Sequence, residues 1–194
     1  MTLLKVGPGS NAPHEVNVVI EIPAYSDPVK YETDKETGTL FVDRFMGTAM
    51  QYPTNYGYVP QSLSEDGDPV DVLVLSPSPL LYGCVIRCRP IGLLRMSDES
   101  GHDAKILAVP VKKVTPYYEK IFSYQDLPEM ELTRIAHFFQ HYKDLEQGKW
   151  VEIDGWFDKS EAEQEILKSL GRFDEEKAER STEQNRRLVD LSPA

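Results

Sequence analysis

The sequence predicts a mainly β (α+β) fold, a small closed barrel of short strands followed by two packed helices. Short apolar runs recur through the first two-thirds of the 194 residues, several with two-residue alternation. Pro and Gly mark the corners between them, as in compact barrels. The last third changes to the spacing of amphipathic helices.

The elements follow in order. Val16-Asn-Val-Val-Ile-Glu-Ile22 alternates, placing Val16, Val18, Ile20 and Ile22 on one face and Asn17, Val19 and Glu21 on the other. Val29–Thr33 and Thr39–Phe45 flank Asp34-Lys-Glu-Thr-Gly38, a hairpin loop ending in Gly. Val70–Leu75, Cys84–Cys88, Ile91–Arg95 and Lys105–Val109 supply four further short strands. Asp126-Leu-Pro-Glu129 has the pattern of a capping box, with Leu132, Ile135, Ala136 and Phe139 behind it at i, i+3, i+4 and i+7. Ser160-Glu-Ala-Glu163 opens a second helix, which Gly171 is expected to end. One domain is therefore expected over residues 1–171, with 172–194 a charged tail, either a peripheral helix or mobile.

Composition narrows the function. Hydrophobic residues at 40% and charged residues at 27% are ordinary globular values, which excludes wholesale disorder. With 32 acidic and 21 basic residues the formal charge is −11, so no general binding to nucleic acid or acidic membrane is expected. Gly7-Pro-Gly9 interrupts any apolar targeting core, and the stretch from Val72 to Ile86 is too short and too broken to span a bilayer. Cys84 and Cys88 read as small buried thiols in a reducing, cytoplasmic setting.

Two acidic loops stand out. Glu65-Asp-Gly-Asp-Pro-Val-Asp71 gathers Asp66, Asp68 and Asp71 around a turn that enters an apolar strand. It fails as an EF-hand, which needs Asp or Asn at Val70, Gly at Asp71 and Glu at Pro77. Asp98-Glu-Ser-Gly-His-Asp-Ala-Lys105 repeats the arrangement before a second apolar strand. Each alone could be a solvated turn. Together, at the mouth of one barrel, they suit a hard cation such as magnesium, which takes oxygen ligands and keeps its waters. Cations and tyrosines complete the pattern. Lys30 and Glu32 share a strand face, Arg44 closes the partner strand, and Tyr52 and Tyr56 bracket the turn Pro53-Thr-Asn55. Lys105 follows Asp103 by two residues, and Tyr142-Lys143 ends the first helix.

These residues resemble the soluble family I inorganic pyrophosphatases, short prokaryotic form. The signature Asp-x-Asp-Pro-x-Asp stands complete at Asp66-Gly-Asp-Pro-Val-Asp71. Matching segments run in order from about Val16 to Lys143: Glu21-Ile-Pro, Lys30-Tyr-Glu32, Asp43-Arg44, Tyr52 to Tyr58, Asp98-Glu99, Asp103-x-Lys105 and Tyr142-Lys143. His102, beside Asp103, is the one residue of that loop to watch.

The resemblance implies a five-stranded oligonucleotide-binding-type (OB) barrel with two helices, hydrolysing pyrophosphate to two orthophosphates without a covalent intermediate. It implies several magnesium ions, held by Asp66, Asp71, Asp98, Asp103 and Glu32. Lys30, Arg44, Tyr56, Lys105, Tyr142 and Lys143 would bind the phosphoryl units, and Asp68 would be the general base. Glu21, Tyr52 and Glu99 would support them. It further implies a homo-oligomer, a hexamer, with His137, His141 and Asp144 on the helix face that meets another subunit. The alternatives are a magnesium phosphohydrolase with a larger substrate, such as a nucleotide or polyphosphate, and a non-catalytic binding module. No Walker loop supports a nucleotide grip.

Overall fold

Residues 3–190 are described by the computed structural model. Met1, Thr2 and the last four residues of the expected tail lie outside them. The fold is mainly β with two α-helices. Among the described residues eight strands form, β1 Val16–Ile22, β2 Val29–Thr33, β3 Leu40–Phe45, β4 Asn55–Tyr58, β5 Asp71–Val74, β6 Val85–Asp98, β7 Gly101–Pro110 and β8 Val151–Phe157. The helices are α1 Glu129–His141 and α2 Lys159–Asp190. Six strands make one sheet in the order β1-β4-β5-β7-β6-β8, and β1 pairs with β6 as well. Strands β2 and β3 form a separate hairpin.

The expected alternation of β1 holds as far as Ile20 and breaks at a register shift between Ile20 and Ile22, and both faces are covered. Val16, Val18 and Ile20 join one buried cluster, Ile22 joins the other, and Val19 and Glu21 are buried as well. The first half of β1, Val16 to Val19, pairs with β6, and the second half, Val19 to Ile22, pairs with β4. Gly57 of β4 is fixed by this pairing, because a Cβ there would stand 2.0 Å from the Val19 carbonyl oxygen.

Strands expected at 84–88 and 91–95 are one strand. Pro90 sits at a register shift between Pro90 and Gly92, so β6 bends there and continues. Two elements escaped the sequence pattern. The turn after Pro53 leads directly into β4, and β8 is interrupted in its alternation by Gly155, which has φ +134 opposite a second shift in β6.

Helix α1 buries the predicted face. Ile135 and Phe139 are buried with Phe138, and Leu132 and Ala136 flank them. They pack on Tyr52, Tyr56, Leu94 and Met96, each large side chain contributing about 2–3 kcal/mol of apolar burial. The capping box lies one turn earlier than expected. Ser123 and Asp126 form it, whereas α1 itself starts behind Pro128 without a side-chain cap.

Gly171 does not end α2, and the boundary expected there falls inside the helix. Ala162 and Ile166 seat the first turns of α2 on Val70, Val72 and Leu93. Strong helix formers, Glu175 to Arg180, carry it on past the single glycine, whose cost is about 1 kcal/mol. Among the described residues, no helix is long and apolar enough to cross a membrane. Cys88 is buried, Cys84 is half-buried, and both are free thiols.

Candidate active site

The two acidic loops and the β2–β3 hairpin enclose a cleft of about 660 Å³. The first loop is built by its own backbone. Ser64 N–H donates to the Asp68 carbonyl at 2.6 Å, and Gly67, at φ +89, lets the chain turn back. Asp68 N–H donates to Asp66 Oδ1 at 3.0 Å, which fixes that carboxylate as an Asx turn. The second loop is the tight β6–β7 turn, where Asp98 and Gly101 are register partners and Ser100 N–H donates to Asp98 Oδ1 at 2.8 Å.

Parallel pairing of β5 and β7 sets Asp71 opposite Lys105, and Asp103 lies two residues away on the same strand face. Lys105 Nζ consequently lies between them, 2.6 Å from Asp71 Oδ2 and 2.7 Å from Asp103 Oδ2. Burial alone would push the Lys105 ammonium down, but Asp103 and Asp71 outweigh it and hold it well above the usual lysine range. Burial raises the Asp71 carboxyl even with Lys105 beside it. Burial, with Asp68 nearby, also raises Asp66.

Lys143, buried after the end of α1, reaches across to the second loop. Its Nζ is 2.6 Å from Asp98 Oδ2 and 3.4 Å from Glu99 Oε1. Lys149 adds a contact of 2.9 Å to Glu99. Burial works against the Glu99 charge, but these lysines and its own backbone amide bring its carboxyl down to about 2. On the hairpin, Lys30 pairs with Glu32 and stands 3.6 Å from Asp43, while Arg44 holds Asp43 at 2.7 Å and Glu146 at 3.4 Å.

Tyrosines line the floor. Asn55 is buried and fully engaged, accepting from Ala24 N–H and Leu80 N–H and donating to the Val74 carbonyl and Ser76 Oγ. That network fixes the turn between Tyr52 and Tyr56, whose rings pack at a tilt against Phe138 and Phe139. Burial raises both phenols well above their ordinary value, so they act as neutral hydroxyls. Glu21 accepts from Thr33 N–H at 2.6 Å, and burial pushes its carboxyl up to about 7.

All fifteen candidate catalytic, substrate, metal and supporting residues line this one cleft. They come from seven strands, β1 to β7, from the turn before β4, from the two acidic loops and from the end of α1, up to 122 residues apart in the chain, from Glu21 to Lys143. His137, His141 and Asp144 lie elsewhere. The two imidazole rings are 4.6 Å apart, and His141 Nδ1 is 2.9 Å from Asp144 Oδ2 on the outer side of α1. His102 lines the cleft but is engaged by its register partner Ser97 at 3.3 Å.

Several lining residues carried no sequence signal. Lys35 of the hairpin loop touches Asp68 at 2.7 Å and the Gly67 carbonyl at 2.8 Å. Lys149, Phe173, Glu176 and Arg180 also line the cleft. Only three-dimensional pairing reveals them, since neighbouring residues offer no motif.

Among the described residues, no three carboxylate, imidazole or thiol groups form a ready-made metal site as they stand. The donor set nevertheless fits a hard dication. Asp71 and Asp103 are already drawn together on a shared cation, the Lys105 ammonium, and the oxygen-only ligands around them are those magnesium prefers.

Comparison with known proteins gives the family. A family model described as inorganic pyrophosphatase matches residues 18–174. The inorganic pyrophosphatase of Yersinia pestis is 60% identical over 172 residues, covering 89% of this chain and 98% of that protein. That of Escherichia coli K12 is 58% identical over the same length and coverage. Among solved structures, an inorganic phosphatase from Anaplasma phagocytophilum superposes with a TM-score of 0.86 at 52% identity, covering 88% of this chain and 99% of that one. The inorganic pyrophosphatase of Thermus thermophilus gives 0.83 at 41% identity, with 90% and 99% covered. Sequence, fold and the gathering of paired acids and lysines in one cleft therefore converge, and the chain belongs to the inorganic pyrophosphatase family.

Proposed function

We propose that this chain hydrolyses inorganic pyrophosphate to two orthophosphates by direct attack of water, with magnesium as its ion. The observation that carries the proposal is the sharing of Lys105 between Asp71 and Asp103, in a cleft where acids are interleaved with lysines and Arg44. Such a cleft would repel a bare pyrophosphate anion but accept one accompanied by dications.

Asp66, Asp71 and Asp103 would hold one ion, Asp71 a second, Asp98 and Asp103 an ion carried by the substrate, and Glu32 a further one. Bound divalent ions supply positive charge to the phosphate oxygens and acidify water. Asp68, held at the loop tip and 62% exposed, takes the proton from the attacking water. Lys30, Arg44, Lys105 and Lys143 bind the two phosphoryl units, and the Tyr56 and Tyr142 hydroxyls donate to the leaving phosphate, where charge accumulates. Glu21, Tyr52 and Glu99 keep these groups in place, Glu99 through Lys143.

The β1, β4, β5, β7, β6 circuit is an OB-type closed barrel in this reading, supported by the pairing of β1 with both β4 and β6. Barrel and helices form one catalytic domain, with the part of α2 after residue 171 an appended segment whose Phe173, Glu176 and Arg180 line the cleft. The protein works in the cytoplasm as a hexamer, with no nucleic-acid or membrane partner. His137, His141 and Asp144 lie on the face assigned to contact between subunits.

The test is orthophosphate release from pyrophosphate with excess magnesium, with chelator, and with ATP as competitor substrate. Rapid release that needs magnesium and greatly exceeds release from ATP is expected. Equal rates on ATP would move the assignment to a broader phosphohydrolase.

A further inference from the structure

The family match ends at residue 174, yet α2 runs unbroken to Asp190. The Yersinia pestis relative is covered over 98% of its length by only 172 of the 194 residues here. This chain thus carries helix beyond the part its relatives share. Resting on the pyrophosphatase reading, we propose that this added helix is a substrate-recruiting wall of the cleft, in which Arg180 offers its guanidinium to the phosphate oxygens of incoming pyrophosphate.

The helix is tied to the loop that carries Asp66 and Asp68. Leu63 N–H donates to the Ser169 carbonyl at 2.8 Å, and Arg172 donates to the Leu63 carbonyl and to Glu65, both at 3.2 Å. From that anchor the helix rises about 1.5 Å per residue, so Arg180 stands about 12 Å farther along. Phe173, Glu176 and Arg180 fall at i, i+3 and i+7, on one face, and all three line the cleft.

Among the described residues, Arg180 differs from the other six cations that line the cleft. Lys105, Lys143, Lys149, Lys30, Lys35 and Arg44 each touch a carboxylate of the loops or the hairpin. Arg180 pairs with Glu176 of its own helix at 2.7 Å and is 77% exposed. Exposed pairs of this i, i+4 kind contribute little and exchange readily. A guanidinium can then turn to a phosphate and bind it through two parallel N–H donors. The need is clear from the lining, where among the described residues ten carboxylates face seven cations, and the whole chain carries −11. A cation at the mouth lowers the repulsion that an approaching polyanion meets.

The test uses the full-length chain and the variants Arg180→Ala, Arg180→Lys and Arg180→Glu. Magnesium-supported hydrolysis would be followed at low and high ionic strength, beside calorimetric binding of magnesium imidodiphosphate, which is not hydrolysed. At low salt Arg180→Ala should raise KM about 3- to 10-fold and weaken imidodiphosphate to match, with kcat within about twofold of the parent. Arg180→Glu should be worse, Arg180→Lys intermediate, and high salt should shrink every difference. Unchanged KM and unchanged imidodiphosphate affinity in Arg180→Ala at low salt would overturn the proposal. So would a fall in kcat accompanied by a lower unfolding temperature, which would make Arg180 a structural residue. A parent protein that releases no orthophosphate would instead remove the pyrophosphatase reading, and imidodiphosphate binding would still decide the role of Arg180.

Discussion

Asp71 and Lys105 are register partners across the parallel β5–β7 pair, and their side chains meet at 2.6 Å. Backbone pairing, set by buried neighbours Val72, Leu73, Ile106 and Leu107, therefore fixes the distance between a candidate metal ligand and a candidate phosphate ligand. Side-chain choice is left little freedom.

Replacing Lys105 with Met should reveal what the ammonium does for the free protein. It leaves Asp71 and Asp103 without their shared cation, and removing one partner of a buried pair costs about 3–5 kcal/mol. Urea unfolding in chelator should show that loss. Excess magnesium should restore part of it, because a dication takes over the neutralising role. An equal loss with and without magnesium would argue that the two carboxylates do not hold the ion.

Asp68→Asn should separate proton transfer from metal binding. The Asp68 backbone carbonyl still accepts from Ser64, so the loop keeps its turn. Turnover should fall roughly 100-fold or more, the usual scale for losing a general base. The magnesium-induced rise in unfolding temperature should persist. Turnover near the parent value would take Asp68 out of the role.

Glu21 gives the chelated protein a pH-dependent stability. Its carboxyl is raised by burial from the usual 4.5 to about 7, so the fold favours the protonated form. The resulting stability is fully present below about pH 4.5 and is lost as pH rises through about 7. A gap of about 2.5 pH units corresponds to about 3 kcal/mol. Glu21→Gln, whose side-chain oxygen can still accept from Thr33 N–H, should match the parent near pH 4 and exceed it by that order at pH 8. Parallel pH–stability curves for the two proteins would contradict this assignment.

The outer face of α1 bears on assembly. His137 and His141 carry rings 4.6 Å apart, with Asp144 2.9 Å from His141. If this face meets another subunit, the double variant His137→Glu/His141→Glu should place like charges there and sediment as smaller species than the parent. An unchanged size would count against these histidines as interface groups.

The chemistry was more legible in the sequence than the architecture. Asp-Gly-Asp-Pro and Asp-Glu-Ser-Gly are local loops, so residue order nearly dictates how Asp66, Asp68 and Asp98 are presented. Pro90 misled because proline usually ends a strand, yet here it sits at a bulge where β6 turns without stopping. Strand β8 was hidden by Gly155, which breaks the alternation at the point where the pairing shifts. Gly171 misled in the same manner, since its local preference to end a helix is outweighed by the helix formers on either side. Lys35 and Lys149 were invisible for another reason. Their partners Asp68 and Glu99 lie 33 and 50 residues away, and only the closed fold brings them together.

Strand β6 pairs with β1 through residues 85–88, with β7 through 88–98 and with β8 through 93–98. Its last residue, Asp98, faces Val151 of β8 and is held by Lys143, both from late in the chain. During synthesis both acidic loops are made before either partner. A nascent chain that has not yet delivered residue 157 cannot complete the cleft, so catalytic competence comes late in translation, when nearly the whole protein has emerged.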